Sequence, residues 1–517
     1  MWLGLRYKLA VVSPFFGLLF AWGEPGLVIF AADAAPAEAT VIRVDTTQTR
    51  HTMAAGIGAS WHAMGQTPYW YRDLVGRDNR TCRGSGFGGC PPLDFTKAWD
   101  DIQAHARWLG LDFCRVEIDA RMYHPDRGQF DWDNQEMQAL YRILDHCQTD
   151  QVDVLLAQMW QDVAWNAHEG VCRLQSSPKS VEDFATGLGT LLSHLVGTKK
   201  YTCIRWLTIS NEPGFAGCWW LGPDKKPASI MPAIRAVRAD LDRRGLRDLA
   251  IAGPDVFKLD MGNFEPDDKA VGALALHCYG GDVPLALFDE SVAKARARDI
   301  PCLVSEFGHF FMAPCEGVNF AMGGPRSEAP KSFAAQMLNA QKVVGGLNAG
   351  IDGFNRWSFL NRGDLDGQWQ LVRTWNPINW DYYRDVAPEP VPYYSYGILS
   401  RFTAKHSSVL DVQGGSDRVI ATALRSPKGN LTVLVLNVSD KAEPFRLSFA
   451  GLRDTCTLSR YRVSENAVST PDYRVEPQQV FGLGPAKPDI SDELPAKSIT
   501  TYSTYKLAHT EPGVTAE

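Results

Sequence analysis

Two glutamates stand out in the sequence because each directly follows a short apolar run. Glu212 comes near the end of residues 207–213, where apolar and β-branched residues lead into Asn211 and a proline then stops the strand. Glu306 follows a run of the same build within residues 302–308. A carboxyl group at the cleft end of a buried strand can have its pKa raised into the range that an acid catalyst needs. Two such strands therefore predict a pair of catalytic carboxylates.

The surrounding sequence predicts the elements that must position these two side chains. Eight predicted strands cover residues 54–59, 111–118, 152–159, 203–210, 249–253, 273–278, 301–305 and 351–357, and helical patterns separate nearly all of them. Alternating strands and helices favour a parallel sheet with right-handed crossovers. Eight units predict an α/β fold closed as a (β/α)8 TIM barrel. No GxGxxG or GxxxxGK[ST] pattern opens a helix, which argues against an open nucleotide-binding sheet.

After residue 407 the pattern changes to short strands separated by turns. This change predicts a C-terminal antiparallel β-sandwich domain, which an amphipathic strand at residues 40–46 joins as an extra member. The predicted organisation is a signal peptide at 1–39, an N-terminal strand segment at 40–50, a catalytic barrel at 51–407, the sandwich at 408–510 and a tail at 511–517.

The N-terminal segment has the pattern of a targeting sequence. Arg6 and Lys8 precede an apolar run at residues 9–22, and small residues offer cleavage sites within residues 32–37. We expect an exported protein that is periplasmic, secreted or held at the cell surface, with an uncleaved membrane anchor as the alternative. The net charge of −7 gives no reason to expect a nucleic acid or an anionic membrane as partner.

The cysteines divide into two groups by their surroundings. Five lie in or beside apolar runs and are predicted to be buried thiols: Cys114, Cys147, Cys203, Cys278 and Cys302. Others lie in polar loops, where an exported protein forms disulfides, and the pairs Cys82–Cys90 and Cys172–Cys218 are our predictions. No CxxC or HExxH spacing occurs, so no zinc site is predicted.

In a (β/α)8 barrel the catalytic groups lie at the carboxyl ends of the strands. The predicted strand ends carry Trp61, His62, Arg115, Glu117, Asp119, Gln158, Trp160, Asn211, Glu212, His277, Tyr279, Glu306 and Trp357. Two carboxyl groups about 5–5.5 Å apart across a sugar ring hydrolyse a glycoside with retention, and a separation of about 6.5–9.5 Å gives inversion. The 16 Trp of the chain suit stacking on sugar faces.

The barrel with Asn211-Glu212-Pro213 after strand four and a Ser-Glu-Phe-Gly run at strand seven resembles the clan A glycoside hydrolases, mainly families 5, 30 and 39. The resemblance implies that Glu212 is the general acid/base and Glu306 the nucleophile. It further implies that Asn211 holds the sugar 2-hydroxyl. The same resemblance gives Arg115 and Tyr279 the role of supporting the nucleophile, and makes Trp357 the floor of a subsite.

Four further side chains are predicted to bind substrate from their positions alone: His277, Trp160, Trp61 and Trp220. Each also has a purely structural interpretation, as a hydrogen-bonded barrel histidine or as a tryptophan of the core. His62, Glu117 and Asp119 are weaker candidates for the same reason.

The predicted function is a retaining glycoside hydrolase that cleaves β-linked glycosides or polysaccharides at the O-glycosyl bond. Arg115 and Tyr279 are expected to depress the pKa of Glu306 and keep it ionised. The expected partner is a carbohydrate, with no cofactor, metal, nucleic acid or obligatory protein partner. One alternative is a catalytically inactive carbohydrate-binding surface protein on the same fold. Another is a metal-dependent hydrolase, for which only His62 and His277 stand at strand ends.

Overall fold

The computed structural model describes residues 39–63, 90–161, 163–173, 175–215, 220–308, 331–360, 369–376, 381–470 and 473–505. Residues 1–38 of the predicted signal peptide and the predicted tail lie outside these ranges. Across the described ranges, every helix is too short or too polar to cross a membrane.

After β1 (Thr40–Thr52), the chain forms a closed parallel barrel. Its strands are β2 (Ile57–Ala59), β3 (Trp61–His62), β4 (Phe113–Asp119), β5 (Asp153–Trp160), β6 (Ile204–Thr208), β7 (Ala250–Val256), β8 (Ala273–Cys278), β9 (Cys302–Phe307) and β10 (Gly353–Arg356). They pair in chain order, and the sheet closes because β2 pairs with both β10 and β4. Together β2 and β3 occupy the first of eight strand positions, so the predicted barrel is confirmed.

The barrel strands are nearly continuous apolar runs because both of their faces are covered. All six residues of β8 and of β9 are buried, as expected for parallel strands between a barrel interior and a helix layer. The closure between β2 and β4 depends on Gly58, since a Cβ there would lie 1.4 Å from the carbonyl oxygen of Phe113. Any larger residue would force these two strands apart.

Helices cover the outside of the barrel. They are α1 (Thr96–Leu109), α2 (Ala120–Tyr123), α3 (Gln135–Thr149), α4 (Val181–Leu192), α5 (Met231–Arg243), α6 (Leu285–Ala297), α7 (Phe333–Ala349) and α8 (Pro390–Ser400). Ser180 caps α4, because its Oγ accepts the backbone N–H of Asp183 at 3.1 Å. In contrast, α1 begins after Phe95 without a side-chain cap.

The C-terminal domain is one strongly coiled sheet. Its strands are β13 (Ser408–Gly414), β14 (Val419–Arg425), β15 (Leu431–Asn437), β16 (Glu443–Ala450), β17 (Cys456–Ser464), β18 (Gln479–Leu483), β19 (Asp489–Leu494) and β20 (Ser498–Ser503), with the short helix α9 (Glu465–Val468). Before it, β11 (Val372–Asn376) and β12 (Asp381–Pro388) form a separate hairpin. β1 lies between β13 and β16, antiparallel to the first and parallel to the second.

The coiled sheet closes into a sandwich through a polar contact between distant strands. The carboxylate of Asp492 on β19 accepts hydrogen bonds from Arg460 and Arg462 of β17, both at 2.7 Å, and from Tyr502 of β20 at 2.6 Å. These strands lie far from β19 in the order of the sheet, so the contacts join its two halves.

Barrel and sandwich share one apolar core through α7 and α8. Leu434 and Ile499 of the sandwich belong to the same buried cluster as Tyr396 and Leu399 of α8. Polar contacts fix the orientation, since Thr501 Oγ1 donates to the carbonyl of α8 residue 398 at 2.7 Å. The two domains therefore form one compact unit.

The five cysteines predicted to be buried thiols are buried and free. Cys90 is also a free, buried thiol, with its Sγ 2.7 Å from the carbonyl oxygen of His62. The predicted Cys82–Cys90 disulfide is therefore not formed. One cysteine of each predicted pair, Cys82 in the first and Cys218 in the second, lies outside the described residues.

Candidate active site

The carboxyl ends of five barrel strands bring a cluster of charged side chains together. Arg115 and Glu117 come from β4, and their spacing of two residues puts both on the inner face of the barrel. The others come from the β6–α5 loop, β7, β8 and β9, and they include Asn211, Glu212, Asp255, His277 and Glu306. These apolar strands place the polar groups together at one end of the barrel. There the groups pair with one another, which offsets the cost of burying them.

Arg115 is the centre of this cluster and is fully buried. Its Nη2 donates to Asp255 Oδ2 at 2.7 Å and to Asn211 Oδ1 at 2.9 Å, and its Nη1 donates to Glu117. The same Nη1 lies 3.1 Å from Glu306 Oε2. Burial alone would lower the pKa of Arg115, but its three carboxylate neighbours raise it above the ordinary value. The guanidinium therefore remains charged and holds three strands together.

The two oxygens of Glu306 have different surroundings. Tyr279 donates its hydroxyl to Oε1 at 2.5 Å. Oε2 lies 3.1 Å from Arg115 and 3.7 Å from His277, yet accepts no hydrogen bond from any described residue. Oε2 is therefore the less hydrogen-bonded oxygen and the freer of the two to attack an electrophile.

The pKa of Glu306 corrects an expectation from the sequence. Burial raises this pKa to about 7, while His277 and Arg115 act in the opposite direction and Glu212 adds to the increase. The predicted depression of the pKa is wrong, because the loss of solvation outweighs the cations that surround the carboxylate.

Glu212 lies in the loop directly after β6, in a left-handed backbone conformation with φ of 43°. This conformation is unfavourable for glutamate. A backbone hydrogen bond stabilises it, since the Glu212 N–H donates to the Asp255 carbonyl at 3.0 Å. The carboxylate Oε1 lies 3.0 Å from His277 Nδ1, and the side chain keeps 17% of its surface exposed. A group that is partly open to solvent can exchange a proton with a bound molecule.

A carboxylate oxygen of Glu212, one of Glu306 and a ring nitrogen of His277 all lie within 4.8 Å of one another. This short distance fits the spacing of about 5–5.5 Å in retaining glycosidases and not the spacing of about 6.5–9.5 Å in inverting enzymes. The cluster therefore has two carboxyl groups at a distance that a sugar ring can bridge.

His277 is fully buried and faces a carboxylate on each side. Its Nδ1 lies 3.0 Å from Glu212 Oε1 and its Nε2 lies 3.2 Å from Asp255 Oδ1. Burial would lower the pKa of His277, but Glu306 and Asp255 raise it to about 10. The neighbouring carboxylates therefore favour the protonated form of the ring.

The spacing of Glu212, His277 and Glu306 would also suit a metal ion. However, both oxygens of Glu306 already have partners, since the Arg115 guanidinium lies 3.1 Å from Oε2 and the Tyr279 hydroxyl donates to Oε1. We therefore do not assign a metal to these three side chains.

A second buried pair extends the cluster to the first barrel strand. His62 Nδ1 lies 2.8 Å from Glu117 Oε2, and both side chains are fully buried. The ring of Trp357 packs against His62 with centroids 4.7 Å apart. Glu117 thus bridges Arg115 and His62, whereas the third weak candidate, Asp119, caps α2 by accepting the Met122 N–H.

The structure does not bring Trp61 to the cluster. Its ring lies 5.6 Å from that of His146 in α3 and 5.2 Å from that of Phe359, within the helix layer. Adjacent residues of a strand point to opposite faces, and His62 takes the inward position in β3. Trp61 is therefore a core residue of the barrel wall.

Trp220 is also not part of the cluster. Trp220 packs against Phe184 of α4 and donates its Nε1–H to the Ser229 carbonyl at 3.3 Å. It is 6% exposed, as is usual for a core side chain. The backbone of Trp160 ends β5 opposite Asp119, but its side chain lies outside what the structure describes.

Asp255 is the residue of the cluster that the sequence analysis missed. It lies in β7 within an apolar run that Pro254 interrupts, and the predicted strand stopped at residue 253. The available signal was the one that identified the glutamates, namely a single carboxylate after a buried run.

A cavity of about 530 Å³ lies in the loop between β5 and α4. It is lined by Ala164, Ala167, His168, Glu169, Val171, Cys172, Arg173 and Lys179, none of which belongs to the charged cluster. This loop thus forms a pocket of its own.

The barrel with its attached sandwich has the fold of the clan A glycoside hydrolases. A family 30 endoxylanase from Clostridium papyrosolvens C71 matches with a TM-score of 0.58 at 12% identity, over 90% of this chain and 100% of that one. An endo-β1,6-glucanase matches with a TM-score of 0.58 at 15% identity, over 91% and 95% of the two chains. A conserved exported protein from Bacteroides fragilis matches with a TM-score of 0.62 at 13% identity, over 90% and 100%.

No protein-family model matches the chain, and neither does any curated protein. At these identities the likeness to the solved structures is one of fold. Any role of the charged cluster therefore has to be argued from its own geometry.

The Tyr279 hydroxyl is expected to control the acid side of the pH dependence of any reaction that needs ionised Glu306. Its hydrogen bond stabilises the carboxylate, so Tyr279→Phe should raise the pKa of Glu306 further. Activity should then be lost at a pH higher by about one unit as the solution is acidified. The measurement is kcat/KM against pH.

The matched control for this variant is Tyr502→Phe, since Tyr502 donates to the Asp492 carboxylate at 2.6 Å within the sandwich. This control should leave the profile in place. An unmoved acid limb in Tyr279→Phe would show that Glu306 is not the group that titrates there.

Proposed function

We propose that the protein is a retaining glycoside hydrolase that cleaves β-linked glycosides or polysaccharides. The observation that carries the proposal is the pair Glu212 and Glu306, with carboxylate oxygens within 4.8 Å and contrasting surroundings. Glu306 is 7% exposed and bound by Tyr279, whereas Glu212 is more open to solvent. The Arg115 guanidinium, 3.1 Å from Glu306, and the Tyr279 hydroxyl favour Glu306 as the ionised nucleophile, which leaves the more exposed Glu212 as the acid.

In the first step, Glu306 Oε2 attacks the anomeric carbon while Glu212 gives a proton to the glycosidic oxygen. The C–O bond to the leaving group breaks and a covalent glycosyl-enzyme forms. Tyr279 stays on Oε1 throughout, and Arg115 is placed to balance the charge of the carboxylate before attack. Asn211 Oδ1 is occupied by Arg115, which leaves its NH₂ group as the donor for the sugar 2-hydroxyl.

In the second step, a water molecule attacks the anomeric carbon and passes a proton to Glu212. Glu306 departs as a carboxylate, which Arg115 and Tyr279 stabilise. Two inversions at the same carbon give net retention. No further reagent is needed, because water supplies both the hydroxyl group and the proton.

We further propose that the protein acts on carbohydrate outside the cytoplasm. In the N-terminal segment, basic residues precede an apolar run, and small residues follow it. This order supports export. One protein of the same fold is itself described as exported. Immunodetection of the full chain in cell fractions tests this part separately from the chemistry.

The direct test is a panel of aryl β-glycosides and β-linked polysaccharides, with product analysis by chromatography. Proton NMR during the first turnovers identifies the anomer released. The β-anomer is expected first, and first release of the α-anomer would overturn the retaining mechanism. Binding without turnover across the panel would instead favour the inactive carbohydrate-binding protein, and loss of activity with a chelator would favour a metal-dependent hydrolase.

Glu212→Ala should have an effect that depends on the leaving group. With phenyl β-glycosides, kcat/KM should fall by about 10²–10⁴-fold, because a poor leaving group needs a proton. With 2,4-dinitrophenyl β-glycosides, which leave without a proton, kcat/KM should change little. The control is Glu443→Ala, a buried glutamate of the sandwich that pairs with Arg418. Equal losses on both substrates would contradict the assignment of Glu212 as the acid.

A further inference from the structure

Asp255 takes no direct part in either step of the proposed reaction, yet it contacts both Arg115 and His277. Its Oδ2 accepts from Arg115 at 2.7 Å, and its Oδ1 accepts from Ser305 Oγ at 2.5 Å. The same Oδ1 lies 3.2 Å from His277 Nε2. Its backbone carbonyl accepts the Glu212 N–H at 3.0 Å. A fully buried carboxylate with these partners is a fixed negative charge behind the catalytic pair.

The geometry around His277 restricts where protons can be. Its two ring nitrogens each face a carboxylate, Glu212 on one side and Asp255 on the other. Asp255 is ionised, because Arg115 and Ser305 both donate to it, and its Oδ1, 3.2 Å from Nε2, favours a proton on that ring nitrogen. Nδ1 and Glu212 Oε1 lie 3.0 Å apart, and this contact is a hydrogen bond only if one of the two atoms also carries a proton. That proton is on His277 or on Glu212, and the two groups form one proton-holding pair.

We propose that Asp255 is a positioning residue that fixes His277, so that the Glu212–His277 pair holds the proton delivered to the leaving group. The inference rests on the proposed glycosidase function. In the first step the pair gives up one proton as the glycosidic C–O bond breaks. In the second step it recovers one proton from the attacking water, so the pair is unchanged after each turnover.

The charges around the pair set the expected direction of any change. Arg115 and Glu117 approach from β4, and Glu306 and Ser305 approach from β9. Tyr279 follows β8 and bonds Glu306. Removing the negative charge of Asp255 leaves the positive charges of Arg115 and His277 with one carboxylate fewer to balance them. Both the Glu212–His277 pair and Glu306 should then lose their protons at lower pH.

The test is Asp255→Asn, which suits the left-handed backbone at this position, where φ is 61°. On a phenyl β-glycoside, both limbs of the kcat/KM profile should move to lower pH by about one unit or more. On a 2,4-dinitrophenyl β-glycoside, only the acid limb should move, because that leaving group needs no proton. A loss of activity with both limbs in place would mean a merely structural role and would overturn the proposal.

The matched control is Asp352→Asn. Asp352 is 1% exposed and accepts two hydrogen bonds from Arg296 at 2.9 Å, outside the catalytic cluster. It also accepts the backbone N–H of Cys302 at the start of β9, the opposite end of that strand from Glu306. This variant should leave the profile in place, and an equal shift would contradict a specific role of Asp255.

Ser305→Ala serves if Asp255→Asn does not fold. It removes the hydroxyl that donates to Asp255 Oδ1 but leaves the carboxylate in place. The carboxylate should then attract the His277 proton more strongly, and the alkaline limb should move to higher pH by a few tenths of a unit. This direction is opposite to that for Asp255→Asn, and a shift to lower pH would overturn the proposal.

A titration of His277 by NMR separates this inference from the proposed function. In protein labelled at histidine, the signal of His277 is identified by its loss in His277→Gln. Wild type should keep His277 in the imidazolium form to about pH 9, and Asp255→Asn should lower the midpoint by about one unit or more. An ordinary midpoint for His277 in wild type would overturn the role of Asp255. Failure to cleave any glycoside would overturn only the proposed function.

Discussion

Glu306→Gln is expected to reduce kcat by at least about 10⁴-fold on every glycoside that the wild type cleaves. The amide has the shape of the carboxylate and can still accept the Tyr279 hydroxyl, but it cannot form a stable bond to the anomeric carbon. Arg115 keeps two other carboxylate partners, Asp255 and Glu117, so folding should be little affected. The measurements are kcat at saturating substrate and the melting temperature of the same preparation.

The control for this variant is Glu443→Gln. Glu443 is a buried sandwich glutamate, 3.1 Å from Arg418, and the change removes a carboxylate of the same kind far along the chain. Its kcat should equal that of wild type. If Glu306→Gln retained full activity on the same substrates, the glycosidase mechanism itself would be refuted.

Arg115→Met is expected to lower the free energy of unfolding by about 3–5 kcal/mol. The substitution roughly keeps the volume of the side chain but leaves Glu117, Asp255 and Glu306 buried without the cation that they share. Breaking one side of a buried ion network is unfavourable, because the remaining charges keep their full desolvation penalty. Urea unfolding monitored by tryptophan fluorescence gives the change.

Arg356→Met is the matched comparison, because Arg356 is also buried but has a different environment. Its Nε and Nη1 bond no described residue, and its guanidinium faces the Tyr396 ring at 5.6 Å. Burial lowers the pKa of Arg356 to about 10. Since no carboxylate among the described residues loses a partner, the change in stability should stay within about 1 kcal/mol. Equal losses for the two arginines would show that the carboxylates around Arg115 are not what makes it necessary.

Much of the barrel follows from local pattern. The predicted bounds of β8 (Ala273–Cys278) agree with the structure to the residue. A strand buried on both faces is a continuous apolar run, which is easy to recognise. β18 (Gln479–Leu483) was not predicted, because most of its residues are exposed and its pattern resembles that of a loop. Strands of this kind are defined by their partners and not by their own composition.

The two glutamates, Glu212 and Glu306, could be predicted because each directly follows a recognisable apolar strand. Asp255 does not, because Pro254 looks like the end of a strand, although β7 continues to Val256. Asp255 forms ion pairs with residues of other strands, and some of these strands are far from β7 in the chain. The register between two strands cannot be deduced from the sequence of either strand alone. The sequence pattern thus identifies candidate residues, whereas the closed barrel determines which of their side chains are in contact.

The position of β1 has a consequence for how the protein is made. This strand is synthesised before the barrel, but its partners β13 and β16 emerge only after the barrel is complete. Until then its unpaired backbone edges are exposed, and unpaired edges favour association with other chains. Joining them requires closing a loop that contains the whole barrel, which is a slow, non-local step. We therefore expect the C-terminal domain to assemble last, and a fragment that begins after β1 to carry an open slot in its sheet.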